Sequence, residues 1–227
     1  MKKIQAWMLV AILIICGSMN VLAQDEVKYC MSYSEFANDQ WTTATDEVKV
    51  EAISALKRRI VQSSDFKINT GDKKLNKKFN KDVFALKIGD ALVVNCRKFR
   101  YQGVPFGPGY AYAFRYDGNK LCVVNRKIGK GNLLLAGATS VLPVKPGIVA
   151  AYGLTELQLA NKVCYLVDSD VDSKGKTRIQ LMNDAFMNEL LAGNEELKEQ
   201  YYAGADLMGR ESASNVLDIL NKAGLIK

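Results

Sequence analysis

Gly109-Tyr-Ala-Tyr-Ala-Phe-Arg-Tyr-Asp-Gly-Asn-Lys-Leu-Cys-Val-Val-Asn-Arg126 is the stretch that decides the fold. Two alternating runs flank Asp117-Gly118-Asn119. Asp-Gly tolerates the positive φ of a tight turn, so the stretch predicts a β-hairpin. Side chains alternate with a period of two along a strand. A two-residue turn, at Asp117-Gly118 or one position later, puts Tyr110, Tyr112, Phe114 and Tyr116 on one face with Leu121 and Val123. Ala111, Ala113 and Arg115 then share the other face with Cys122 and Val124. Neither face is wholly polar, so the hairpin is expected at the centre of a sheet covered on both sides.

Working outward, Val83–Ile88 and Ala91–Cys96 surround Gly89-Asp90 and predict a preceding hairpin. Phe79–Arg126 thus reads as two consecutive hairpins. The Gly- and Pro-rich Gln102–Gly109 between them is a shaped loop. Val163–Asp168 and Thr177–Met182 predict a third hairpin. Phe66–Asn69, Leu133–Leu142 and Ile148–Tyr152 read as further strands, with a helical turn or two over 155–161. Gln24–Trp41 has little periodicity and reads as an extended or loop segment. A helix capped by Thr45 is expected to run to Ser63-Ser64, with Ala52, Ile53, Leu56 and Ile60 as its apolar stripe. Gly71–Lys81, rich in lysine, reads as an exposed basic loop. The tail predicts helices over Ala185–Ala192, capped by Asn183, over Glu195–Tyr202 and over Ser212–Ala223, with stops at Gly193 and Gly224. The expected class is α+β: a central antiparallel sheet of consecutive hairpins, packed by an N-terminal helix and C-terminal helices.

Residues 1–23 read as a signal peptide. Lys2 and Lys3 form a positive start, Ala6–Cys16 a short apolar run, and Val21-Leu22-Ala23 a cleavage site before Gln24. The run is too short for a membrane span, and no later stretch of sequence supplies one. The expected product is one α+β domain over 24–227, helical from 183 onward, in the periplasm or secreted. The chain carries a formal net charge of +7, and loss of Lys2 and Lys3 leaves +5. That mild excess does not call for nucleic acid, and an export signal argues against it.

Cys30, Cys96, Cys122 and Cys164 remain after cleavage, an even number in an oxidising compartment, so disulfides are expected to compete with buried free thiols. Cys96 and Cys122, in neighbouring strands, are the favoured pair. The chain contains no histidine, which excludes Ser-His-Asp and Cys-His nucleophile activation and removes the commonest zinc ligand. The cysteines are too widely spaced for a four-thiolate zinc site.

Asp168, Asp170 and Asp172 alternate ahead of Gly175, as in a calcium loop. Ser173 and Ile179 stand where such a loop needs Gly and Glu, so an acidic turn is the plainer reading. Gly175-Lys176-Thr177 lacks the upstream glycine of a phosphate-binding loop. Ser54-Ala-Leu-Lys57 lacks the companion elements of serine–lysine acyl enzymes. Nothing calls for a cofactor. Binding is better supported. Tyr101, Phe106, Tyr110 and Tyr112, interleaved with Arg97 and Arg100, form an aromatic and basic strip suited to a glycan or a peptide, with core packing as the competing reading. Basic patches at 57–59, 73–81, 97–100 and 126–130 suit an acidic envelope component if they converge. Two dispersed carboxylates could still hydrolyse glycosides, so a histidine-free hydrolase is the alternative to a non-catalytic or structural protein.

Val21-Leu-Ala-Gln24, Lys77-Lys-Phe-Asn-Lys-Asp-Val-Phe-Ala-Leu-Lys-Ile-Gly-Asp90 and Asn95-Cys-Arg-Lys-Phe-Arg-Tyr-Gln-Gly103 resemble an uncharacterised family of exported proteins from gut Bacteroidetes. The resemblance covers most of the mature chain. It implies an envelope location and no known activity, and it transfers no functional residue.

Overall fold

The hairpin is built from β9 (Tyr110–Tyr116) and β10 (Lys120–Arg126). Its turn is one residue longer than expected. Tyr116 faces Lys120 and Phe114 faces Cys122, with positive φ at Asp117 (43°) and Gly118 (78°). A one-residue change of register exchanges the two faces of the second strand. Phe114 and Tyr116 therefore share their core with Cys122 and Val124, while Ala111 and Ala113 share theirs with Leu121 and Val123. This corrects the sorting inferred from a two-residue turn. The third residue, Asn119, belongs to the loop, which Arg115 closes by donating to the Gly118 carbonyl at 2.9 Å.

The computed structural model describes residues 26–128, 159, 161–171, 177–203 and 207–227. The signal peptide and the strands expected over 133–142 and 148–152 lie outside them. The remaining strands are β1 (Val27–Cys30), β2 (Thr42–Thr43), β3 (Lys49–Ala52), β4 (Phe66–Asn69), β5 (Ala85–Ile88), β6 (Ala91–Asn95), β7 (Arg100–Tyr101), β8 (Val104–Pro105), β11 (Lys162–Val171) and β12 (Thr177–Leu181). The large sheet runs β12-β11-β10-β9-β6-β5-β1-β2, and its pairs are antiparallel. A β3–β4 ribbon joins it where Phe66 pairs with Tyr110. The helices are α1 (Tyr33–Ala37), α2 (Ala55–Val61), α3 (Lys73–Lys81), α4 (Asp184–Leu190), α5 (Glu195–Tyr202), α6 (Leu207–Arg210) and α7 (Ala213–Lys222).

The C-terminal helices cover one face of the hairpin. Met187, Leu191, Leu197, Tyr201, Val216, Leu217 and Leu220 pack on Phe114, Cys122, Val124, Cys164 and Leu166. Asn183, expected as a cap from sequence, caps α4 through its side-chain oxygen, and Asn194 and Ser212 do the same for α5 and α7. The chain end is sewn onto the hairpin: Ile226 bridges Tyr116, and Lys227 and Arg115 exchange backbone hydrogen bonds. The opposite face is filled by aromatic rings in a row, Phe36, Phe84, Phe99, Phe106 and Tyr165, with successive centroids 6.2, 6.2, 5.9 and 4.8 Å apart. Edge-on geometry at such distances is favourable beyond area burial.

The expected N-terminal helix is not formed as one element. Lys49–Ala52 pairs with Phe66–Asn69 instead, so the true cap is Ser54, whose hydroxyl accepts from Lys57 N. Leu56 and Ile60 then face solvent, 69% and 70% exposed. Strand pairing overrides the helical spacing because Val50 and its neighbours also fit a pleated strand. The expected basic loop is instead α3, capped by Asp72, which seats Phe79 in the core beside Val83 and Leu86. The segment over 24–41, read as extended or loop, contributes the extended strand β1 and, against that reading, the short helix α1. Cys30, Cys96, Cys122 and Cys164 are free and buried. Cys96 and Cys122 lie in cores on opposite sides of the sheet, so the favoured pair cannot form.

Two outcomes test this packing. Gly107, at φ +93°, would place an added Cβ 1.9 Å from the Gln62 carbonyl oxygen, whereas Gly71, at φ +76°, has open space around it. Gly107→Ala is expected to cost more than about 3 kcal/mol and Gly71→Ala about 1 kcal/mol, read by urea denaturation. In the tail, Asp184 receives Arg210 Nη2 at 2.7 Å and the Tyr201 hydroxyl at 2.7 Å. Arg210 first, and Tyr201 after it, hold the Asp184 carboxyl below its ordinary value of 3.8. A carboxyl whose folded pKa is depressed stabilises above its unfolded value, and that contribution is lost as pH falls through the folded one. Below about pH 4, stability should therefore fall more steeply in the native chain than in Asp184→Asn, measured by melts across an acid series.

Candidate functional site

Three segments meet to form a cleft of about 240 Å³. Met31, Ser32 and Tyr33 come from the start of α1, residues 81–84 from the link between α3 and β5, and Asn95, Lys98 and Phe99 from the end of β6; Thr177 of β12 closes the wall. The positions follow from local capping. Ser32 accepts from Glu35 N at 3.1 Å and fixes α1. Buried Asn95 donates to the Val83 carbonyl at 3.0 Å and accepts from Arg97 N at 3.1 Å. That single side chain ties the α3–β5 link to the 3-10 turn over Cys96–Lys98.

The floor is aromatic. Tyr33 and Phe84 lie with centroids 5.6 Å apart, and Phe84 and Phe99 at 6.2 Å. The Tyr33 hydroxyl is spent on the Asn119 carbonyl at 2.6 Å, which holds the ring in place. Lys81 and Lys98 line the cleft and are exposed, and they make no ion pair among the described residues. Asp82 is the lone carboxylate in the lining. Apolar rings below and free ammonium groups above suit a ligand with a flat apolar body and a negative group.

The aromatic and basic strip expected from sequence is not assembled as a surface. Phe106 and Tyr110 are 0% exposed, and the Tyr110 hydroxyl donates to the Phe79 carbonyl. Tyr112 is half-buried edge-on to Phe66 at 4.9 Å, and Tyr101 edge-on to Tyr165 at 5.4 Å. Arg97 and Arg100 are exposed. The reason is the two-sided core: alternating rings on a central strand fill the interior. Lys98 and Phe99, inside the same run, do reach the cleft. Tyr33 and Phe84 were missed, because nothing local marks them as neighbours of Phe99.

A second polar cluster lies under the glycine-proline loop. Asp65 accepts from Arg58 at 2.7 Å and from Lys162 at 2.6 Å. Lys162 is 6% exposed, and burial pulls its amine down in spite of Asp65. Asn125 donates to the Ser64 hydroxyl at 3.1 Å and to the Cys96 thiol at 3.5 Å. The sequence hinted at this centre only through Lys162 standing at the head of an apolar strand.

Other chemistry finds little footing. Burial pushes the Cys30 and Cys96 thiols up to about 12, and burial beside Cys122 drives Cys164 well above the usual thiol range. These groups stay protonated and unreactive. Asp65 and Glu211, the buried carboxylates among the described residues, are both ion-paired, Glu211 with Lys127 at 2.8 Å. Asp168 lies 3.8 Å from Lys120; Asp172 and the Asp170 side chain fall outside the described residues. Among the described residues no three metal-binding side chains cluster, and no helix is long and apolar enough to cross a membrane.

Lys162→Met alone, leaving Asp65 with a buried charge that Arg58 only partly offsets, should cost about 3–5 kcal/mol in denaturant melts, and adding Asp65→Asn should recover most of that loss.

Comparison with known proteins returns a family of unknown function (DUF6563), whose sequence model matches residues 28–227. No curated protein and no solved structure matches.

Proposed function

We propose that this chain, which belongs to the family of unknown function DUF6563, is an exported envelope protein, periplasmic or secreted, that binds a ligand without transforming it. The leader-like residues 1–23 support export, and residues 24–227 are taken as a single domain with helices packed on its central sheet. The recognition site is the cleft over Tyr33, Phe84 and Phe99. One observation carries the reading: Lys81 and Lys98, exposed and without an ion pair among the described residues, flank an aromatic floor within one concavity.

A cavity of about 240 Å³ suits one sugar ring or one short side chain. Aromatic faces stack on the apolar face of a sugar, and ammonium groups attract a carboxylate. An acidic sugar, presented on a glycan, satisfies both features, so that is the ligand class. The hydrolase alternative needs two carboxylates at a defined separation, and the lining has Asp82 alone.

The expected result is saturable binding of glucuronate, followed by NMR, with shifts at residues 81–84 and 98–99. Neutral glucose should bind far more weakly, and affinity should fall with added salt. Lys81→Ala and Lys98→Ala should each weaken binding several-fold, about the worth of one exposed charge pair, with the fold intact. Equal binding of glucose, or shifts elsewhere in the domain, would sink the assignment. Preference for an acidic tripeptide over glucuronate would move the ligand class from glycan to peptide.

A further inference from the structure

We infer that Arg126 and Ser63 form a binding site for an oxyanion, a carboxylate or phosphate group carried by a small molecule. The site shares no residue with the cleft lining and stands independently of the glycan reading.

Arg126 ends β10 and donates through Nη2 to the Gln62 carbonyl at 3.4 Å. Ser63 follows Gln62 directly, at the C-terminal end of α2, one residue from the carbonyl that Arg126 contacts. Ser63 is 4% exposed, yet its Oγ has no hydrogen-bond partner, and neither has the buried Nε of Arg126. Buried polar groups are seldom left this way, because each forfeits its water without replacement. Two such orphans, on Arg126 and on the residue next to the Gln62 that Arg126 contacts, call for an acceptor.

The charge balance agrees. Asp65, two residues after Ser63, is already taken up by Arg58 and Lys162. Arg126 makes no ion pair among the described residues. A half-buried guanidinium without a counter-charge is costly, and burial accordingly draws its pKa down. An oxyanion placed on Arg126 would accept from Nε and from the Ser63 hydroxyl together, with the planar fork that matches carboxylate and phosphate oxygens. The surrounding groups are immobilised for the task. Asn125 is locked onto Ser64, and Gly107 lies so close to Gln62 that the carbonyl cannot shift. Gln62 itself is exposed, which leaves an approach from solvent.

The test is thermal melting of the full mature chain in sodium phosphate, sodium succinate and sodium chloride at matched ionic strength. A ligand that binds only the folded state raises the midpoint with its concentration. The expected result is a saturable rise in phosphate or succinate and none in chloride; the anion giving the larger rise identifies the group as phosphate or carboxylate. Arg126→Gln should abolish the rise, and Ser63→Ala should weaken the apparent affinity about tenfold. If Arg126→Gln fails to fold, Ser63→Ala decides alone. A flat native response to both oxyanions, an equal rise in chloride, or an undiminished rise in Ser63→Ala would each overturn the site and leave the orphans to ordinary water.

Discussion

Strands β9 and β10 turn almost nothing toward water, and the rest of the chain is arranged around that constraint. Tyr110, Phe114, Tyr116, Leu121, Cys122, Val123 and Val124 are all buried. Both faces must therefore be covered, and the two covers differ in kind. Large rings from β9 meet the aliphatic C-terminal helices on one side. On the other, β9 presents Ala111 and Ala113, with Arg115 stacked over Phe36 at 4.4 Å, and the space is filled by rings brought from elsewhere, Phe36, Phe99, Phe106 and Tyr165. Small residues on the strand are what let that aromatic row approach the sheet. The thiols fit the same scheme, acting as small hydrophobes on both sides.

The β3–α2–β4 arm pairs with this centre at one strand position, Phe66 with Tyr110, while Phe66 and Ile68 share a core with Tyr110 and the Phe66 ring meets Tyr112. Polar contacts around that point add to the attachment. Asp65 N donates to the Tyr110 carbonyl at 2.9 Å and Ser64 N to the Pro108 carbonyl at 2.9 Å. Asp65 reaches across to Lys162 at the head of β11. Gly107 and Gly109 lie against the Gln62 and Phe66 carbonyls at distances no side chain would allow. The glycine-proline loop, which in sequence reads as a shaped loop, serves here as the seat for the arm. Its composition is explained by close backbone approach and positive φ.

What the sequence discloses and what it hides follow from how far each signal reaches along the chain. The hairpins and tail helices were legible because alternation, capping residues and terminal glycines act within a few positions. Asn183, Asn194, Gly193 and Gly224 do what their types suggest. The family match likewise supports an uncharacterised domain. The register of β9 against β10 was not legible, because it depends on whether Asn119 joins the turn, a difference of one residue with similar local cost. The arm was misread because Lys49–Ala52 satisfies helix and strand patterns equally until β4 is placed beside it. The cleft was invisible for a stronger reason: Tyr33, Phe84 and Phe99 come from three elements, and only the fold makes them neighbours.

Both candidate sites stand at element ends, and this explains how they differ. Ser32 precedes α1, Asp82 follows α3, Asn95 opens the 3-10 turn, and Gln62 caps α2. Backbone groups run out of ladder partners at such places, so polar side chains gather there to serve them. In the cleft that service is complete: Ser32 and Asn95 are engaged by backbone, which leaves rings and exposed lysines to meet a ligand, and an empty cleft costs the fold little. At Arg126 the service is incomplete, since β10 ends with a guanidinium nitrogen and a neighbouring hydroxyl that no described group answers. An occupant of either site stabilises the fold in proportion to its binding of the native state, so both are linked to folding. The difference lies in the empty state: the unoccupied cleft leaves no polar group of Ser32 or Asn95 unserved, whereas at Arg126 an occupant would also remove a standing penalty.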